Sequence, residues 1–157
     1  FRSQFLTDTK GAGIMNKLFH GYSPWFGQIP QRATGAIISD RDGKVTRYAC
    51  LGMVDRGELF VETGTSVYKG MIIGERNREG DLEVNITREK KLTNMRSSTS
   101  EATVTLRPPK RLSLDQSIEF ISEDEFVEVT PKNIRLRKME LDSNKRASQR
   151  KKMKELA

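Results

Sequence analysis

Apolar residues recur along this chain in short runs broken by Gly, Pro, Asp and Ser, the spacing expected of a protein built mainly from short strands. Residues 1–10 read as the end of a helix, with Phe1, Phe5 and Thr9 on one face and Gly11 placed to close it. A weakly patterned strand is expected over Ile14 to Tyr22, stopped by Ser23-Pro24. Ala33 to Ser39 and Val45 to Ala49 flank Asp42-Gly43, a pair that favours a tight hairpin turn. Leu51 to Arg56 reads as one helical turn ended by Gly57, followed by a strand at Leu59 to Glu62, a loop at residues 63–66 and an apolar run at Met71-Ile72-Ile73. Strict alternation returns at Leu82, Val84, Ile86 and again at Ala102, Val104, Leu106, so each of these strands is expected to bury one face.

After the stiff Pro108-Pro109 link, Ser113 with Gln116 three residues on has the spacing of a capping box, so a helix is expected to start there. Leu114, Ile118 and Ile121 form its expected buried stripe. Phe126 to Val129 and Ile134 to Arg137, joined by Thr130-Pro131-Lys132-Asn133, read as a closing hairpin. Beyond Met139 no apolar face remains, and the end reads as a mobile or frayed helical tail. The fold class is therefore α+β and β-rich: a compact domain of short antiparallel strands with one or two short helices. It is preceded by a helix-strand remnant and followed by a basic tail. Because a lone helix and strand cannot bury themselves, and because the first residue is not Met, the opening piece is expected to complete a sheet lying earlier in a longer protein.

Composition changes the picture in one respect, the placement of charge. The net charge of +7 sits wholly in residues 132–157, which hold ten Lys or Arg against three acids, so the remainder is neutral. Within that neutral part, residues 86–111 hold seven cations and two acids, whereas residues 115–128 hold six acids and no base. Such a dipolar surface has a side suited to phosphate. No run is long and apolar enough for a spanning helix, and no secretory leader is visible. One cysteine, Cys50, cannot form an internal disulfide, which fits a reducing compartment.

Candidate chemistry is sparse. There is no G-x-x-x-x-G-K-[ST] loop for a nucleoside triphosphate. His20 is the only imidazole and has no neighbouring nucleophile with an orienting acid, while Cys50 reads as a small hydrophobe in a buried strand. Glu123-Asp124-Glu125 point apart and read as a solvated turn. No catalytic residue and no metal ligand is therefore assigned. The segment from Arg88 to Ser100 stands out because it is too long for a hairpin turn between patterned strands. It concentrates cations, hydroxyls and an amide, the groups that phosphates and ribose hydroxyls accept.

Five blocks then occur in one order: Phe1 to Asn16 (FRSQFLTDTKGAGIMN), Asp55 to Phe60, Tyr68 to Gly74, Lys90 to Arg96 (KKLTNMR) and Val127 to Lys138 (VEVTPKNIRLRK). Over residues 1 to about 140 the chain resembles the C-terminal part of the translational GTPase family BipA/TypA, relatives of elongation factor G. The resemblance implies residues 1–23 as the end of a ferredoxin-like domain V, 24–140 as the family-specific C-terminal domain, and 141–157 as a basic tail. It also implies a ribosome-binding module that contacts the tRNA acceptor end and large-subunit rRNA in the A site, in stress adaptation and large-subunit assembly. GTP and Mg would be bound in a G domain outside this fragment, which itself would hold no cofactor and do no catalysis. The expected nucleic-acid-binding residues are Lys90, Lys91, Thr93, Asn94, Arg96 and Ser97. The expected partners are the ribosome and the remaining domains of the parent GTPase, with no membrane; the fragment would be a cytoplasmic monomer. The competing expectation is a protein docking module that uses the acidic segment 115–128.

Overall fold

The computed structural model describes residues 2–25, 27, 32–90 and 106–156. Helix α1 (Arg2–Asp8) opens the chain, and Gly11 beyond it has the left-handed φ of +79° that closes a helix. The strand expected at Ile14 to Tyr22 is not formed: no ladder partner meets these residues among those described, and Ile14, Leu18, Phe19 and Tyr22 are 79–99 % exposed, with Met15 partly covered. Without a neighbour to take its backbone groups, that segment has nothing to hold it as a strand.

The domain proper is a six-stranded sheet ordered β6-β1-β5-β8-β7, with β3 also pairing β5. Its members are β1 (Ala36–Ser39), β3 (Gly57–Leu59), β5 (Met71–Arg76), β6 (Leu82–Val84), β7 (Glu125–Val129) and β8 (Ile134–Lys138). The architecture is mixed α+β, but the expectation of purely antiparallel strands needs correction, because β1 and β6 run parallel, with Ile37 opposite Leu82. A parallel pair needs a long crossover; here residues 40–81 supply it. Within that crossover β2 (Gly43–Lys44) pairs β4 (Ser66–Val67) in a separate two-stranded ribbon. The hairpin expected around Asp42-Gly43 is therefore not made. Gly43 does hold a positive φ of +151°, but it turns the chain toward Val67 and away from β1.

β1 and the start of β5 are buried on both faces, which explains why Ala36 to Ile38 and Met71 to Ile73 are continuous apolar runs. One face packs Ile37, Ile73, Val84 and Ile86 against Val45, Ala49, Cys50 and Val67. The other packs Ala36, Ile38, Ile72 and Leu136 beneath Phe60, Leu112, Phe120 and Ile121. Where β3 crosses β5 the backbones nearly touch. A Cβ at Gly57 would stand 1.9 Å from the Glu75 carbonyl oxygen, and one at Gly74 would stand 2.4 Å from that of Glu58.

Two helices differ from expectation. Val45 to Ala49 is not a strand; Thr46 instead caps α2 (Arg47–Leu51), its hydroxyl accepting the Ala49 N–H at 3.2 Å, so the helix forms earlier than the turn expected at Leu51 to Arg56. The Ser113–Gln116 capping box is present and starts α3 (Leu114–Phe120). Its inner face, however, is Ser117 with Phe120 and Ile121, while Leu114 and Ile118 are 41 % and 55 % exposed. Ser117 is buried because its hydroxyl donates to the Ser113 carbonyl at 2.8 Å. The expected closing hairpin is β7 and β8, in register from Glu125 opposite Lys138 to Val129 opposite Ile134.

A buried ion cluster locks the ends of the sheet together. Lys138, 1 % exposed, reaches Asp81 and Glu125 at 2.8 Å and Asp124 at 3.0 Å. Arg32 forms a two-pronged pair with Glu125 at 2.9 and 3.0 Å, donates to the Phe120 carbonyl, and stacks 4.2 Å from the Phe120 ring centre. Burial alone would lower the Lys138 pKa, but its hydrogen bonds to Asp81 and Glu125 outweigh that and hold it above the ordinary lysine value.

The basic end is a formed helix, α4 (Ser143–Leu156), not a frayed tail. Asp142 caps it by accepting the Asn144 and Lys145 N–H groups. Lys69, 2.8 Å away, and then those backbone donors hold the Asp142 carboxyl well below its usual range, at about 2.

Candidate nucleic-acid interface

Of the expected contact residues, Lys90 is described and exposed. Lys91, Thr93, Asn94, Arg96 and Ser97 lie outside the described residues, as do Ala102 to Thr105 of the strand expected to follow. What the structure builds is the base of this segment. The chain leaving β6 is held by Thr46, whose backbone N–H donates to the Ile86 carbonyl and whose hydroxyl donates to the Arg88 carbonyl. One hydroxyl thus caps α2 and pins Arg88. The Arg88 guanidinium lies 5.8 Å from the Tyr48 ring centre, at the outer range of a cation–π contact.

The returning chain comes back to the same helix. Leu106, Arg107 and Pro108 line an open groove of about 330 Å³ together with Cys50, Met53 and Leu59. Lys110 donates its backbone N–H to the Leu59 carbonyl. The outgoing end is thus tied to the cap of α2, whose exposed Tyr48 faces exposed Arg88 and whose Arg47 is also exposed, while the returning end, with exposed Arg107, lines a groove with Cys50 of the same helix. Arg47, Tyr48 and Arg107 escaped the sequence reading. Reading Val45 to Ala49 as a strand hid α2; Thr46 ahead of Arg47, a cap residue at a helix start, was the available signal.

The acidic segment is divided: Asp115, Glu119 and Glu123 are exposed, while its later carboxylates pair within the fold. Glu125 and Asp124 neutralise Lys138 and Arg32 as described, and Glu128 accepts the Tyr68 hydroxyl at 2.7 Å and contacts Arg137 at 2.7 Å. Cys50 is buried, on α2 and not in a strand. His20 is exposed in irregular chain and not at a strand end. Among the described residues no group of three or more His, Cys, Asp or Glu side chains could hold a metal ion, and no helix is long and apolar enough to cross a membrane.

The architecture and this basic platform can be set beside known proteins. The family described as TypA/BipA C-terminal domain matches residues 34–143, which takes in the whole sheet from β1 to β8. Large ribosomal subunit assembly factor BipA of Bacillus subtilis (strain 168) is 46 % identical over 155 residues, covering 98 % of this chain and 25 % of that protein. Its namesake in Escherichia coli (strain K12) is 47 % identical over 93 % of this chain and 24 % of its own length. The one in Synechocystis sp. (strain ATCC 27184 / PCC 6803 / Kazusa) is 45 % identical over 88 % of this chain and 23 % of its own. The chain thus spans about a quarter of the length of these relatives. A family match across the folded domain, together with near-half identity over almost the whole sequence, leads to one conclusion: this chain belongs to the TypA/BipA C-terminal domain family.

Proposed function

We propose that this domain is a non-catalytic, RNA-contacting module that seats a longer translational GTPase on the large ribosomal subunit. The observation that carries the reading is the set of exposed cations at the base of the 88–100 segment: Arg88 and Lys90 on the stretch that Thr46 pins beside α2, and Arg107 where the chain returns. Exposed cations on a rigid scaffold are what phosphate backbones select, and shape rather than base sequence would be read. The names of the relatives, large ribosomal subunit assembly factors, point to rRNA as the target.

In this reading Lys90, Lys91 and Arg96 neutralise phosphates, while Thr93, Asn94 and Ser97 hydrogen-bond ribose or backbone of large-subunit rRNA and of the tRNA acceptor end in the A site. GTP and Mg belong to a G domain elsewhere in the longer protein. Residues 1–23 would close a preceding ferredoxin-like domain, which gives the exposed Ile14, Leu18 and Phe19 side chains a place to pack. A cytoplasmic, stress-linked role in subunit assembly follows from the same reading. The protein-docking alternative would use the exposed Asp115, Glu119 and Glu123, since Asp124, Glu125 and Glu128 already pair within the fold.

The test is ribosome co-sedimentation of the full-length protein with Lys90, Lys91 and Arg96 replaced by Ala singly and together. Each loss should weaken binding and lower the salt slope by about one. Unchanged co-sedimentation of the triple variant would overturn the assignment.

A further inference from the structure

We infer that α4 is a second phosphate-binding arm, mounted so that it and the Arg88–Lys90 region flank the β6 edge of the sheet; this rests on the RNA-contacting reading above. A basic tail on its own is an ordinary solvated end. Here the helix is fixed to the sheet. Arg146, 7 % exposed, donates to the Glu140 carbonyl at 2.6 Å and pairs with the Glu83 carboxylate. Asp142 caps the first turn and is itself held by Lys69 at 2.8 Å. Leu141 packs against Gly70, where a Cβ would stand 2.8 Å from its backbone. These three attachments fix the start of α4, and the helix then continues for nearly three turns beyond Arg146.

The strand that anchors it matters. Glu83 lies in β6, and five residues further on is Arg88, pinned by Thr46. Five residues span at most about 17 Å even when fully extended, yet Glu83, opposite Ile38, meets Arg146 on one face of the sheet while α2 and the Arg88 tie lie with Ile37 on the other, so the two basic elements flank the β6 edge. Lys145, Lys151 and Lys152 are exposed on the helix. Lys145 and Lys152, seven residues apart, share a face about 10 Å apart along the axis. Residues 143–157 carry six cations and one acid.

The chemistry of the partner follows from what α4 lacks. With no apolar stripe it offers nothing to bury in a partner's hydrophobic groove or in a lipid interface, both of which require an amphipathic face. A lattice of phosphates asks only for cations, and multiple contacts of this kind add through counterion release.

The experiment uses the whole 157-residue chain and a duplex RNA probe, with affinity measured across a salt series. The variants are Lys145→Gln/Lys151→Gln/Lys152→Gln together, and Arg88→Gln/Lys90→Gln together. Circular dichroism confirms that each folds. Anionic phosphatidylserine vesicles form a parallel arm. The α4 variant is expected to lose at least tenfold in affinity at low salt and about two units of salt slope, with vesicle binding absent. If the α4 variant binds RNA as the native chain does while the Arg88/Lys90 variant is weakened, the arm is refuted and the first site stands. If the native chain binds no RNA, both fall. If it binds vesicles and not RNA, both also fall.

Discussion

Lys138 is the residue on which the fold most visibly turns. An ammonium group so deeply buried is tolerable only because Asp81, Asp124 and Glu125 surround it, and removing one member strands the opposite charge. Lys138→Ala should therefore cost about 3–5 kcal/mol, read as a lower urea midpoint, with Arg32 and Glu125 left as a partial cluster. The pH dependence follows from the raised pKa. A cation whose folded pKa exceeds its unfolded one contributes fully below the ordinary value of 10.5 and loses that contribution as pH rises through the folded value. Urea midpoints should thus fall above that range in the native chain, and the component due to this group should vanish in Lys138→Met. Nothing in the sequence exposed this cluster, because Arg32, Asp81, Glu125 and Lys138 are scattered over a hundred residues and each looks like an ordinary surface charge.

At the scale of elements, local signals were readable and distant pairings were not. The β7–β8 hairpin and the α3 capping box came through because turn chemistry and cap spacing lie within a few residues. The parallel β1–β6 pair did not, since alternation in Leu82 and Val84 says which residues point together but not which strand lies alongside. The stripe of α3 slipped because its inward position is a serine that satisfies its hydroxyl on its own helix, so polarity misreported burial. The base of the candidate site was hidden in the same way behind α2. Thr46 makes a direct test of that base. Thr46→Val removes both the cap on α2 and the tie to Arg88 and should cost about 1 kcal/mol in thermal unfolding, whereas Thr46→Ser should retain both bonds. If the platform serves RNA, the Val form should also bind more weakly than its stability loss explains.

Taken whole, the molecule separates its charges. Glu125 and Glu128 of the 115–128 segment act as internal struts while Asp115, Glu119 and Glu123 keep an acidic patch at the surface, and exposed cations stand at the two ends of the 88–100 segment and along α4. A field arranged in this way steers a polyanion toward one side and makes association sensitive to salt. The asymmetry of charge was legible in the sequence through the uneven distribution of Lys and Arg; where those cations stand required the path of β6 and the seating of α2. The measurement that tests the central claim most directly is photo-crosslinking of the full-length protein on ribosomes, with a crosslinking side chain at position 90 and, separately, at position 123. Adducts to rRNA or tRNA at position 90 with none to ribosomal protein are predicted; protein adducts concentrated at position 123, with no RNA attached at position 90, would contradict it.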